Sequence, residues 1–310
     1  MKVILDPQAG TCGGVRRAIE LAEQELSKSE ERVFVLGDII HNEREVERLD
    51  RAGLRTVTRG ELEEIVQTNA RLGARVLVRA HGEPPETFEK LEELGVEVVD
   101  GTCPVVTRSQ DLARQFQQEG YQVAIVGKHG HPEMIGIVGH TDNQAVVVQF
   151  DEDIQRLKSG VPTVVMAQTT ISPGWFEEMT GKIEARVGNV VVKDTLCRFV
   201  VRRDQKLPQF ASQADVILVV GGHKSSNTKM LHATCKAINT RSYHVADTSE
   251  LDPQWFAAAE TVGVTGSAST PLWLLHEFLD TLERWIAAGW PQKLPPPQTT
   301  APARAPAVNS

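Results

Sequence analysis

Three cysteines divide this chain into near-equal lengths. Cys12, Cys103 and Cys197 lie 91 and 94 residues apart. Each follows a β-branched run and precedes a segment with apolar residues every three or four positions. The first two contexts, GTCGGVRRAIELA and GTCPVVTRSQDLA, are nearly the same; the third, DTLCRFVVRRDQKL, is looser. Polar clusters recur behind each cysteine. His41, His131 and Ser225 follow at 29, 28 and 28 residues, and His81, Thr169 and Ser269 at 69, 66 and 72. Three markers in one order at similar offsets describe an internal repeat of about 90 residues.

Strand candidates fall at 2–5, 32–36, 74–79, 96–100, 122–127, 145–149, 163–168, 189–193, 214–222 and 261–266. They are continuous Val/Ile runs separated by helical patterns, as in buried, mostly parallel sheets. The fold class expected is therefore α/β. Three similar units, each with a small sheet, would pack around a pseudo-threefold axis and point their strand ends at one centre. The expected boundaries are a strand in 1–13 that joins the third unit, then units at 14–102, 103–196 and 197–288. A tail at 289–310 holds six of the 16 prolines from Pro291 onward and reads as disordered. WLLHEFLDTLERWIAAGW is broken by charges at helical spacing and reads as an amphipathic helix, not a membrane span.

A free cysteine is ordinarily a core residue. The regular spacing is what argues that these three converge. Three thiolates with an open position can ligate zinc or an iron–sulfur cluster, and no local C-x2-4-C pair of a structural zinc site is present. Cys235 lacks a repeat partner and reads as core. The companions His41, His81, His131, Ser225, Asn227 and Ser269 are hydrogen-bond donors suited to an anion. Glu133, beside His131, adds a carboxyl able to deliver protons, and Thr169 a hydroxyl relay. No P-loop or G-x-G-x-x-G is present, so phosphate would be gripped by side chains. The formal charge of −8 argues against nucleic acid. The few, dispersed cysteines and the N-terminus MKVILDPQAG fit a cytoplasmic protein with neither disulfides nor a signal peptide.

Taken together in order, GTCGGVRRAI, IIHN, AHG, TCPVVT, GHPE, QTT, SSNT and SAST-P resemble the 4-hydroxy-3-methylbut-2-enyl diphosphate reductase family, from residue 1 to about 280. The resemblance implies one 4Fe–4S cluster on Cys12, Cys103 and Cys197, with one iron lacking a protein ligand. It implies a diphosphate held by His41, His81, His131, Thr169, Ser225, Ser226, Asn227 and Ser269, with Glu133 and Thr169 handling protons. It further implies reductive dehydroxylation to isopentenyl and dimethylallyl diphosphates. Electrons would come from a ferredoxin or flavodoxin, in a chain expected to be monomeric. Departures from the family pattern are Thr11, Arg108 and Gln110, Phe199 and Val200, and Asp204 beside Arg203. They leave two alternatives: a paralogue reducing a related substrate, and a non-catalytic iron–sulfur sensor.

Overall fold

The computed structural model describes residues 1–28, 33–68 and 74–289. The proline-rich tail expected from Pro291 lies outside the described residues. Among the described residues there are twelve strands and ten α-helices, mostly in alternation. After β1 (Lys2–Leu5) and α1 (Gly13–Lys28) come β2 (Val33–Leu36), α2 (Glu43–Arg51), β3 (Leu54–Val57), α3 (Arg59–Thr68), β4 (Arg75–Val78), α4 (Pro85–Glu93) and β5 (Glu97–Asp100). The middle of the chain runs α5 (Pro104–Gln118), β6 (Gln122–Val126), α6 (Pro132–Gly139), β7 (Val146–Val148), β8 (Thr163–Ala167), α7 (Pro173–Val187) and β9 (Val190–Lys193). The last part is α8 (Arg198–Ala211), β10 (Val216–Val220), α9 (Ser226–Ile238), β11 (Ser242–Val245), β12 (Thr261–Gly266) and α10 (Leu272–Ala288).

The strands form three four-stranded sheets, ordered β3-β2-β4-β5, β7-β6-β8-β9 and β11-β10-β12-β1. Every pairing among the described residues is parallel. Written this way the three sheets share one strand order, and β1 fills the edge that β5 and β9 fill in the other two. The expected α/β class with small parallel sheets is what the chain adopts.

Why the central strands read as unbroken apolar runs is plain from their two faces. Side chains alternate across a strand. Val33 and Val35 of β2 enter one core while Phe34 and Leu36 enter another. Ala124 and Val126 of β6 oppose Val123 and Ile125 in the same manner. In β10, Val216, Leu218 and Val220 oppose Ile217 and Val219. Helices cover both faces, so no polar side is needed. The amphipathic segment at the end is α10, which buries Leu274, Leu275, Phe278 and Leu282 against the third sheet.

Two strands were not among the sequence candidates. β3 reads LRTV and β11 reads SYHV, and both are edge strands. An edge strand meets less core, so Arg55 and Thr56 stay exposed and the apolar run that signals a strand is broken.

Candidate active site

The cysteines sit at equivalent points of the fold. Each follows the edge strand that completes a sheet (β1, β5 or β9) and precedes a helix. Cys103 and Cys197 are the N-caps of α5 and α8. Cys12 lies directly ahead of α1, and the Val15 amide points at its Sγ, 3.5 Å away. Helix N-termini favour a thiolate over a thiol. The cysteine amides donate to three matching carbonyls: Cys12 to Ala268 at 3.1 Å, Cys103 to Ala80 at 3.0 Å, and Cys197 to Thr169 at 2.9 Å. Those acceptors belong to the loops that carry Ser269, His81 and Thr169. One hydrogen bond per repeat therefore fixes each thiol beside its companion loop.

A fourth marker went unread in the sequence. Asp6, Asp100 and Asp194 end the three edge strands. Each carboxylate accepts the amide two residues on, at 2.9, 2.9 and 3.0 Å, and so turns the chain toward its cysteine. Aspartate is too common in turns for this to stand out without the shared strand order of the three sheets.

Cys12, Cys103, Cys197, His41, His81, His131, Glu133, Thr169, Ser225, Ser226, Asn227 and Ser269 all line one cavity of about 810 Å³ including its mouth. Its apolar wall is Val15, Ile39, Ile40, Val105, Val106 and Val200, which the sequence reading did not assign. The three thiols are free and half-buried. Cys12 is pushed above the ordinary thiol range by burial, and further by its two neighbours Cys103 and Cys197. Cys235 is fully buried among Leu207, Phe210 and Leu231, and burial lifts its thiol to about 12, as expected of a core residue.

Space is reserved around the sulfurs. A Cβ at Gly14 would lie 2.4 Å from Cys103 Sγ. Among the described residues, the group of three potential metal ligands drawn within 4.8 Å of one another is His41, His81 and His131, not the cysteines.

The histidines cluster, with ring centroids 4.8 Å apart for His41–His81, 5.3 Å for His81–His131 and 5.9 Å for His41–His131. Burial holds all three below the ordinary histidine range: His41 modestly, His81 strongly, and His131 to about 4. Their mutual proximity and the Arg79 guanidinium add to the effect on His81 and His131. All three shifts favour the neutral imidazole. His131 Nδ1 accepts the Glu133 amide at 3.2 Å, which puts its proton on Nε2. A protonated Nε2 is a donor to an anion, not a ligand to a cation, so His131 at least faces the cavity as an anion donor despite the trio's metal-like spacing.

The same cavity carries hydroxyls, and Ser269 Oγ donates to the His41 carbonyl at 3.4 Å. Ser225 caps α9, its Oγ accepting the Thr228 amide at 3.2 Å. A buried chain runs from Thr228 Oγ1 to Ser267 Oγ at 2.9 Å and on to Ser269 Oγ at 3.0 Å. Asn227 Oδ1 and His81 Nδ1 are buried without a hydrogen-bond partner. Buried polar atoms are rarely left so; these two point to a polar ligand.

Glu133 lies in the first turn of α6 and is 1% exposed. Thr169 grips it twice, through its amide at 2.7 Å and its Oγ1 at 2.9 Å. Burial raises its carboxyl to about 7 in spite of those two bonds.

Of the departures from the family pattern, Val200 is the one that lines this cavity. Thr11 lies in a groove beside Trp273, and Arg108 and Phe199 in a recess on the outer side of the thiols. Gln110 and Arg203 are buried in the helical layer and Asp204 is half-buried.

The sequence pattern of the LytB protein family matches residues 3–283. A 4-hydroxy-3-methylbut-2-enyl diphosphate reductase from Chlorobium limicola is 38% identical, over 90% of this chain and 98% of the relative. One from Bacteroides thetaiotaomicron is 39% identical, over 92% and 99%. The solved structure of an (E)-4-hydroxy-3-methyl-but-2-enyl diphosphate reductase, the terminal enzyme of the non-mevalonate pathway, superposes with a TM-score of 0.70. It shares 36% identity, over 92% of this chain and all of that one. A Plasmodium falciparum reductase structure gives a TM-score of 0.82 at 24% identity, over 91% and 87%, a likeness of fold alone.

Proposed function

This chain belongs to the LytB protein family, and on that footing we propose that it is a 4-hydroxy-3-methylbut-2-enyl diphosphate reductase. It reduces (E)-4-hydroxy-3-methylbut-2-enyl diphosphate to isopentenyl and dimethylallyl diphosphates, the last step of the methylerythritol phosphate route to isoprenoids. The allylic C–O bond breaks, two electrons and two protons enter, and the hydroxyl leaves as water. One observation carries the reading: a single cavity holds three free thiols, a cluster of neutral N–H and O–H donors, and a carboxyl poised to hold a proton at neutral pH.

Cys12, Cys103 and Cys197 would hold one 4Fe–4S cluster with one iron lacking a protein ligand. Three free thiols around one cavity, with a glycine where a Cβ would crowd Cys103 Sγ, fit such a group. When bound, the cluster supplies a Lewis-acidic site for the substrate alcohol and a path for single electrons.

The other roles fall to the chain itself. His41, His81, His131, Ser225, Ser226, Asn227 and Ser269 hold the diphosphate with donors from all three units. Val15, Val106 and Val200 leave the hydrocarbon end a dry wall. Protonated Glu133 can donate to Thr169 Oγ1, freeing the threonine hydroxyl hydrogen to point into the cavity. Because the Thr169 carbonyl takes the Cys197 amide, that proton is held beside the thiols. Electrons arrive one at a time from a ferredoxin or flavodoxin type carrier. Cytoplasmic work suits free thiols, and among the described residues no helix is long and apolar enough to cross a membrane.

Turnover without oxygen tests the reading. The iron-loaded chain should consume the allylic diphosphate with a viologen radical as reductant. A chain that takes up no iron, or takes it up and leaves the diphosphate untouched, would sink it.

A further inference from the structure

The three thiols form a partition. Cys12, Gly14, Cys103, Val105 and Cys197 line the histidine cavity on one side and a separate open recess on the other. The outer recess is built from the starts of the helices that follow the cysteines, α1, α5 and α8. Arg17, Arg108 and Arg198 line it against one carboxylate, Asp194. None of the three helices has an acidic residue in its first turn. Arg202, also exposed, continues the positive face one turn along α8. The whole chain carries 41 acidic and 33 basic residues, so this face reverses the sign of the molecule.

Arg17 is held rigid, donating to the Thr102 carbonyl at 3.1 Å and the Asp100 carbonyl at 3.3 Å. Arg198 meets Asp194 at 3.3 Å while 74% exposed. Arg108 is exposed and has no ion-pair partner among the described residues. Between the charges the recess is apolar, with Pro104, Val105, Leu196 and Phe199. Val105 is 37% exposed. An apolar floor inside a charged rim is how transient protein partners are received.

We propose that this arginine-rimmed recess is the docking surface for a small acidic one-electron carrier protein. The inference rests on the reductase reading and adds a direction to it: substrate reaches the thiol-held group from the histidine side, electrons from the arginine side. Two dockings serve one turnover, each oxidising one carrier by one electron, to match the two electrons that replace the hydroxyl. Rim charges chiefly set association rate and salt dependence, so their reversal weakens docking without touching the cavity.

The test is the double variant Arg108→Glu/Arg198→Glu in the iron-loaded chain, with Arg51→Glu on α2 as a distant control. The probe is a purified acidic [2Fe–2S] ferredoxin. Its affinity, measured by calorimetry in the oxidised state, should fall at least tenfold in the double variant and stay unchanged in the control. The salt dependence of binding should shrink as well. Turnover with a viologen radical and affinity for inorganic diphosphate should be unchanged. Ferredoxin affinity that survives the reversal would overturn the docking surface and leave the reductase reading intact. A self-association of the chain that the reversal abolishes, with ferredoxin binding unaltered, would overturn it too. Arginine-dependent ferredoxin binding by a chain inert toward the allylic diphosphate would keep the surface and remove the reductase reading.

Discussion

Glu133 holds its proton because it is buried, and the consequence can be followed in two measurements. Its carboxyl lies at about 7 instead of 4.5, so it is an acid below that pH and a carboxylate above. A reaction that draws on this proton slows as pH rises through 7. Glu133→Gln should cut turnover by about 10²-fold or more and erase that basic limb, while inorganic diphosphate still binds. The same shift acts on stability with a worked sign. A raised folded-state value means the fold is at full strength below 4.5 and loses stability as pH climbs through 7, by roughly 3 kcal/mol once both values are passed. Unfolding of the iron-free protein at pH 5 and pH 8 should therefore show Glu133→Gln gaining on the parent at the higher pH. The histidines titrate in the opposite sense. Burial favours their neutral forms, and a diphosphate held there as proposed would pull protons onto them. Binding of inorganic diphosphate should take up protons and weaken as pH rises, which calorimetry in two buffers of different ionisation enthalpy reads directly. The histidines stood out in the sequence by their repeat spacing, and Glu133 by its place two residues after His131. Their protonation was not legible, because it depends first on burial in a cavity that the three repeats close only together, and then on charges such as Arg79, which acts on His41 and His131 far along the chain as well as on His81.

Helix starts are the working parts at the next scale up. α1, α5 and α8 each begin at a cysteine, and one amide-to-carbonyl bond ties each start to the loop after a central strand. Gly14 shows how little slack this leaves. Gly14→Ala places a methyl against Cys103 Sγ, while alanine favours the helix by about 1 kcal/mol. The variant should fold at least as stably as the parent yet take up less than half its iron, measured as iron per chain after anaerobic reconstitution. Wild-type iron content would mean that the sulfur moves freely. Elements that are buried on both sides, such as β6 and β10, could be read from their valines and isoleucines. The edge strands β3 and β11 could not, since Arg55, Thr56 and His244 interrupt the pattern. The turn aspartates escaped for a related reason: Asp6, Asp100 and Asp194 act through backbone amides, and a lone aspartate before a loop has many other uses.

Closure of the whole molecule depends on its two ends meeting. β1 pairs with β12 across some 260 residues of sequence, Lys2 opposite Thr261 through Leu5 opposite Val264. Loop closure over that length is costly, so contacts made only after closure must retain the strand. The most buried of these is polar. Arg203 on α8 reaches Asp6 at 3.0 Å with both side chains almost wholly enclosed, and Thr265 Oγ1 donates to the same carboxylate at 2.7 Å. Arg203 also donates to Thr265 at 2.5 Å. The triad joins the strand before Cys12, the helix after Cys197 and the central strand β12, so it braces two of the three thiols from behind. Breaking a buried pair strands the surviving charge and costs about 3–5 kcal/mol. Arg203→Met should lose stability on that scale in denaturant unfolding of the iron-free chain. Asp6→Asn added to Arg203→Met should recover part of the loss, because no uncompensated charge remains. If the pair only filled space, the two substitutions would add. Recovery by the second change would identify charge balance behind the thiols as what holds the N-terminal strand in the C-terminal sheet.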